Sequence, residues 1–215
     1  MAYTITKHMH VLKLNGTYWM QQPRVTTVSA PMVNAIKRAL LAFHDQNRFF
    51  PEHIFVFRSG ASEGERKLAQ WEDGAFMTAF AEMMAEHQGM SKKPALTMVV
   101  CQRTAKYRII PTSLTEFLLI VRRTTQPLRC TVIEDTAHPR VKLDELKQIS
   151  YALCYQHDIC SGPTAEPGLI YSAKEFSKRG RNNWRTSTAD GATFQEFDFP
   201  PLGESEEVRA QAQEQ

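Results

Sequence analysis

The amino-acid sequence predicts an α/β protein with a mixed central sheet flanked by helices. Two continuous apolar runs, HIFVFR at 53–58 and ALTMVVCQR at 95–103, have the pattern of strands buried on both faces. Segments with helical periodicity lie between and around these runs, and this alternation is typical of a layered α/β sheet. Later strand-like runs follow one another closely, which indicates a mixed rather than a wholly parallel sheet.

The first elements are predicted from turn residues and helical spacing. In HVLKLNGTYWM, the pair Asn15-Gly16 lies between two apolar-rich arms and predicts the turn of a β-hairpin. Residues 24–29 are expected to be extended. Apolar residues then recur at a 3.6-residue spacing over 30–47, with Pro31 near the start, so this segment is predicted to be a helix.

The remaining elements are predicted in the same way. A helix is expected from about Glu63 to His87, and the sequence loses its periodicity from Thr186 onward, where an acidic tail at 186–215 is predicted to be disordered. The other predictions are strands at YRII, EFLLIV and RCTVIE, an amphipathic helix at KLDELKQISYALCYQH, and a last helix at LIYSAKEFSKRGR that is basic along one side.

The composition limits the class of protein. The chain has 215 residues, of which 42% are hydrophobic and 23% charged, as in soluble globular domains. No apolar run approaches the ~20 residues of a membrane helix, so no membrane partner is expected. The four cysteines contain no C-x-x-C pair, which argues against a zinc site or disulfide framework and favours reduced, buried thiols in a cytoplasmic or nuclear protein.

Positive charge is concentrated in one short segment. The whole chain carries a formal charge of +3, which is weak support for a polyanionic partner. However, the basic residues Lys174, Lys178, Arg181 and Arg185 are spaced by three or four positions and can share one helix face. Such a face favours contact with the phosphates of a nucleic acid.

Several motifs, in order, resemble the PIWI domain of Argonaute proteins. FRSGASEGE at 57–65 resembles the strand-to-helix junction that reads Tyr-Arg-Asp-Gly-Val-Ser-Glu-Gly in that family. VCQRTAKYR is similar to the next PIWI strand, and LTEFLLIV, CTVIED and LDELKQISYALCYQHDIC follow in the family's order. LIYSAKEFSKRGRNNW resembles the last PIWI helix, which carries Tyr-Tyr-Ala-His and then Arg-x-Arg. The resemblance covers roughly residues 15 to 184 and is closest to the worm-specific Argonaute branch.

The resemblance implies an RNase H-like fold and an altered catalytic site. The family cuts RNA with carboxylates and a histidine that hold two divalent metals. Its strand-end aspartate corresponds to Ser59 and its histidine to Lys174, and neither a hydroxyl nor an ammonium replaces a charged metal ligand. We therefore expect no catalysis, no metal and no cofactor. Residues 1–185 are expected to be the C-terminal part of a PIWI domain, with the first catalytic strand and the N-terminal, PAZ and MID domains outside the chain.

RNA-binding residues are also implied by the resemblance. Arg179 matches the arginine that reaches the guide's 5′-phosphate region, Arg181 is its neighbour, and Tyr171 matches a tyrosine on the guide backbone. The further candidates are Lys174 and Lys178 on the same helix, and Arg103, Lys106 and Arg108 on the strand that lines the guide's seed. The expected partners are a single-stranded guide RNA, its target RNA and silencing effector proteins, in the cytoplasm or nucleus. Departures include Ile159 and Gly162 at basic family positions and a shortened segment before LTEF.

Two alternatives are left open by the sequence. Glu63, Glu65, Glu134 or Asp135 would be the substitutes in an RNase H-like slicer with rearranged metal ligands. Glu63 matches a residue that the family also carries, which favours a role at a helix N-terminus. The other alternative is a truncated Argonaute that acts as a protein-interaction module.

Overall fold

A computed structural model describes residues 1–6, 14–19, 29–60, 66–103, 115–120, 127–157 and 162–189. The elements, in chain order, are β1 (Ala2–Thr6), β2 (Leu14–Tyr18), α1 (Ser29–Asn47), β3 (His53–Ser59), α2 (Arg66–Glu86), β4 (Ala95–Gln102), β5 (Glu116–Leu119), β6 (Leu128–Asp135), α3 (Leu143–Leu153) and α4 (Gly168–Ala189).

The main sheet has four strands in the order β3-β4-β6-β5. Strands β3 and β4 are parallel, whereas β6 is antiparallel to both β4 and β5. The predicted mixed sheet is therefore confirmed. Strand β4 lies inside the sheet and is buried from its second residue to its last.

Helices cover both faces of this sheet. On one face, α1 and α2 pack against β4 through Leu40, Phe80 and Met98. On the other face, Leu146 of α3 and Ile170 of α4 belong to a second apolar cluster. The two clusters draw on alternate residues of β4, as expected because successive side chains of a strand point to opposite faces.

Strand β3 differs from its prediction in one respect. Its side chains do reach both faces, since Val56 packs on the first cluster and Phe57 on the second. However, every residue from His53 to Ser59 is only half-buried. Among the described residues β3 lies at one edge of the sheet, with β5 at the other, and has a neighbouring strand on one side only.

Most predicted helices and strands are confirmed with small changes in their bounds. YRII and most of the segment 24–29 lie outside the described residues, as does 190–215. Helix α4 continues to Ala189, past the predicted end of the domain at 185. No helix in the described ranges has the length and apolar character needed to cross a bilayer.

The N-terminal hairpin forms, but the predicted turn is wrong. Strands β1 and β2 are antiparallel, and Asn15 and Gly16 lie inside β2, opposite Ile5 and Thr4. A Cβ atom on Gly16 would lie 2.5 Å from the carbonyl oxygen of Tyr3 and 2.8 Å from Cε2 of Phe176. Gly16 is therefore required by close packing rather than by a turn.

A second glycine makes the contact between the hairpin and α4 reciprocal. A Cβ atom on Gly180 would lie 2.7 Å from Cγ of Tyr18 and 2.9 Å from its Cε2. The hydroxyl of Tyr18 also accepts a hydrogen bond of 2.8 Å from Nδ2 of Asn183. Each element thus places an aromatic ring against a glycine of the other, which fixes the hairpin on the helix.

We predict that Gly180→Ala destabilises the protein by about 1–3 kcal/mol, because the added methyl group overlaps the Tyr18 ring. Gly74→Ala is the matched control, since Gly74 also lies within a helix but has nothing within 4 Å of an added Cβ. That control is expected to stabilise by about 0.5–1 kcal/mol through helix propensity. Urea unfolding of both variants tests this, and equal effects would contradict the close contact.

Candidate functional site

The candidate site lies at the end of the sheet where β3 and β4 both terminate. Ser59, the last residue of β3, is in register with Cys101 of β4. Gly60 follows with a φ of 87°, a left-handed conformation that turns the chain away from the strand. The position that corresponds to the family's aspartate thus lies at a strand end, as the resemblance implies.

An arginine and a glutamate occupy the space beside Ser59. Nε of Arg58 donates to Oε1 and Oε2 of Glu72 at 3.1 and 3.0 Å, and its Nη1 donates to the carbonyl oxygen of Ser59. Burial raises the pKa of Glu72, and the Arg58 charge and hydrogen bond oppose that shift. The Glu72 carboxylate is therefore paired with the Arg58 guanidinium of the same chain.

Lys174 also forms an ion pair with a buried carboxylate. Its Nζ donates to Oε1 of Glu166, in the loop before α4. The side chain of Glu166 is 2% exposed, whereas that of Lys174 is 43% exposed. An ionised carboxylate at such depth requires a cation or several hydrogen-bond donors nearby.

The Lys174–Glu166 pair lies close to the end of β4. The pKa of the Cys101 thiol is raised well above its usual value by its contact with Cys130 and by burial; Glu166 raises it further and Lys174 lowers it. Ile170 of α4 and Cys101 belong to the same apolar cluster, and Cys101 pairs with Ser59, so the start of α4 packs near the strand end that carries Ser59.

The thiols near this site are buried and reduced, as predicted. Cys101, Cys130 and Cys154 are free, with 3.8 Å between the sulfur atoms of Cys101 and Cys130. Burial is the largest cause that raises the pKa of Cys154, to about 12. Cys160 lies outside the described residues.

The two alternative carboxylates that the structure describes, Glu134 and Asp135, lie away from Ser59. Asp135 lies opposite Thr97, near the start of β4. Four residues separate Thr97 from Cys101, which is about 13 Å along an extended strand. Asp135 also accepts hydrogen bonds from the hydroxyl of Thr97 at 3.0 Å and from the backbone N–H groups of Ala137 and Val141.

The positions of the candidate metal ligands agree with this separation of the carboxylates from Ser59. No group of three histidine, cysteine, aspartate or glutamate side chains within the described ranges is arranged to hold an ion. Glu134 is adjacent to Asp135 at the far end of the sheet, and Glu63 and Glu65 lie outside the described residues.

The predicted basic side chains separate into two groups on α4. Lys178, Arg181 and Arg185 are exposed and lie on the same face as Lys174. Lys178 forms an exposed ion pair of 2.5 Å with Glu175. Arg179 is two positions before Arg181, so the two point about 200° apart around the helix axis.

The other predicted RNA-binding residues that the structure describes lie on α4 or directly after β4. The guanidinium carbon of Arg179 lies 5.8 Å from the ring centroid of Phe176, and Nζ of Lys174 lies 5.9 Å from that of Tyr171. Arg103 is exposed directly after β4. Lys106 and Arg108 lie outside the described residues.

Two functional features were missed by the sequence reasoning. Glu166 precedes a Pro-Gly pair, and a charged residue in such a loop is ordinarily solvated, so nothing nearby signals its burial. The support of Arg179 by Phe176 follows from helical spacing of three residues and was open to prediction.

The chain matches one protein family over most of its length. The mixed sheet, with a basic helix at its end, has the architecture of an RNase H-like PIWI domain. The family profile described as "Piwi domain" matches residues 1–119 and 115–185. The chain therefore belongs to the Piwi family, as the resemblance predicted.

Individual proteins give the same result. The chain is 26% identical over 195 residues to the Argonaute protein WAGO-1 of Caenorhabditis elegans, covering 75% of the chain and 20% of WAGO-1. It thus spans about a fifth of that relative's length.

Solved structures confirm the fold. The C-terminal lobe of a budding yeast Argonaute matches with a TM-score of 0.66 at 15% identity, covering 76% of this chain and 39% of that one. Kluyveromyces polysporus Argonaute with a guide RNA matches with a TM-score of 0.66 at 16% identity, covering 76% and 22%.

We predict that Lys174→Met destabilises the protein by about 1–3 kcal/mol, because it leaves the Glu166 carboxylate buried without its cation. We expect a smaller loss of stability than for a fully buried ion pair, because the Lys174 side chain is 43% exposed to solvent. Adding Glu166→Gln should restore most of the loss. Lys178→Met, whose partner Glu175 is exposed, should change stability by less than about 0.5 kcal/mol. Urea unfolding of the three variants and the unchanged protein measures these effects, and equal losses for the two lysines would refute the buried pair.

Proposed function

We propose that this chain is the PIWI part of an Argonaute that acts in small-RNA-guided silencing and binds RNA without cutting it. The observation that carries the proposal is the sheet end itself. Ser59 ends β3 and Lys174 is ion-paired with Glu166. By the resemblance of the motifs, these two residues correspond to the family's aspartate and histidine.

The argument against cleavage is electrostatic. Two-metal cleavage of RNA needs ligands that offer lone pairs and negative charge to Mg²⁺. The Ser59 hydroxyl is neutral, and a protonated Lys174 has no lone pair and repels a cation. Glu166 and Glu72 are each held by a cation of this chain, so neither offers an uncompensated carboxylate.

The argument for RNA binding is the exposed positive charge on α4. Lys178, Arg179, Arg181 and Arg185 are all exposed, and Arg103 is exposed at the same end of the sheet. Arginine and lysine contacts with phosphates supply most of the affinity for nucleic acids. The likeness to an Argonaute structure that contains a guide RNA supports this assignment.

A protein-interaction module is the second candidate. Tyr151 on α3 and Tyr155 in the turn that follows it are both exposed, with their hydroxyl groups 2.9 Å apart. Paired exposed tyrosines are common in protein interfaces. Small RNA that co-purifies with the chain supports the first proposal, and its consistent absence supports this one.

We predict that the chain binds a 5′-phosphorylated single-stranded RNA of about 20 nucleotides, with an affinity that falls as salt rises. Arg179→Ala/Arg181→Ala should weaken binding and lower the slope of log K against log salt by about 0.7 for each lost phosphate contact. Lys92→Ala/Lys93→Ala is the control. It removes the same charge from exposed residues just before β4, at the opposite end of that strand. Filter binding at several salt concentrations measures both, and an equal loss in both variants would indicate nonspecific attraction only.

We also predict no cleavage of a guide-paired target RNA in Mg²⁺ and no binding of Mg²⁺ by the RNA-free chain. Denaturing gels and a calorimetric titration measure the two. Cleavage that disappears in Glu63→Ala would establish the slicer with rearranged ligands instead. An unrelated RNase contaminant is excluded by the same control, because its activity would survive that substitution.

A further inference from the structure

Phe176 joins Arg179 to the N-terminal hairpin. The ring of Phe176 contacts the strand backbone at Gly16, where an added Cβ would lie 2.8 Å from Cε2 and 3.1 Å from Cδ2. The guanidinium carbon of Arg179 lies 5.8 Å from the centroid of the same ring, within the range of a cation–π contact. One aromatic side chain therefore contacts both the hairpin and the arginine.

The hairpin is itself fixed relative to α4. Tyr18 packs against Gly180 and accepts a hydrogen bond from Asn183, one turn further along the helix. Strands β1 and β2 pair over five residues each. Phe176 thus packs against a surface that is anchored to the same helix at a second point.

Arg179 is presented separately from the other basic side chains. It lies beside Phe176, on the part of α4 that borders the hairpin, whereas Arg181 points about 200° away. The Phe176 ring, packed on Gly16, therefore contacts Arg179 and lies on a different side of the helix from Arg181.

We propose that Phe176 is a positioning residue that holds the Arg179 guanidinium ready to bind an RNA phosphate; this rests on the proposed RNA-binding function. An unrestrained arginine loses rotamer freedom when it binds a ligand. A guanidinium that already rests on a fixed ring loses less, so binding is tighter for the same charge.

The affinity test compares Phe176→Leu, which keeps an apolar side chain, with Phe176→Tyr, which keeps the ring. For 5′-phosphorylated single-stranded RNA, Phe176→Leu should bind about two- to five-fold more weakly than the unchanged protein. Its salt slope should not change, because no charge is lost. Phe176→Tyr should bind within about two-fold of the unchanged protein. In an Arg179→Ala background, Phe176→Leu should have no further effect. An equal loss in that background would show a merely structural role and overturn the proposal.

A second readout needs no RNA. NMR order parameters of the arginine Nε–H groups report side-chain mobility in the free chain. Phe176→Leu should lower the value for Arg179 and leave that for Arg181 unchanged; equal values for Arg179 in both proteins would overturn the proposal. If the unchanged protein binds no RNA, the proposed function fails, and the order parameter alone still decides whether Phe176 positions Arg179.

Discussion

The ion pair between Lys174 and the buried carboxylate of Glu166 is the constraint on which the sheet end depends. A carboxylate that is almost completely removed from water needs a cation beside it. In a metal-dependent site that cation comes from solution. Here it comes from the first turns of α4, so the charge at the strand end is balanced within the chain.

Helix α4 is also held in place at two further points. Ile170 belongs to the apolar cluster under the sheet, and Gly180 packs against Tyr18 of the hairpin. The exposed basic side chains, from Lys178 to Arg185, lie between and just beyond these anchors. A binding surface on a fixed helix loses less conformational entropy on association than one on a mobile loop. The N-terminal hairpin therefore helps to fix the helix that carries these basic side chains.

How much of this was predictable depends on whether the determining contacts are local. Helix α1 follows from the 3.6-residue periodicity of its apolar residues, and β3 and β4 follow from continuous apolar runs. Both signals are properties of neighbouring residues. The two wrong or incomplete predictions involve distant contacts. Asn15-Gly16 has the composition of a turn, but Gly16 is needed because Phe176 and Tyr3 approach it. The half-burial of β3 follows from its edge position in the sheet, which the apolar run alone does not specify.

The same difference between local signals and distant contacts applies to the candidate site. The positions of Ser59 and Lys174 were predicted from ordered motifs, and the basic face of α4 from spacing. The burial of Glu166 and its ion pair with Lys174 were not predicted, because nothing in the local loop sequence indicates them.

The core residues of the sheet are separate from Ser59 at the strand end. The core is made by the middle of this strand, where Leu96, Met98 and Val99 are fully buried. Ser59 closes the neighbouring edge strand and belongs to neither apolar cluster. Carboxylates brought together for metal binding repel one another when the metal is absent, and such sites are commonly held at a cost in stability. On the proposed correspondence of Ser59 and Lys174 with a metal-binding aspartate and histidine, a hydroxyl and a paired ammonium would be free of that repulsion. The core that supports α4 is built from residues other than Ser59, so it does not depend on which side chain occupies that position.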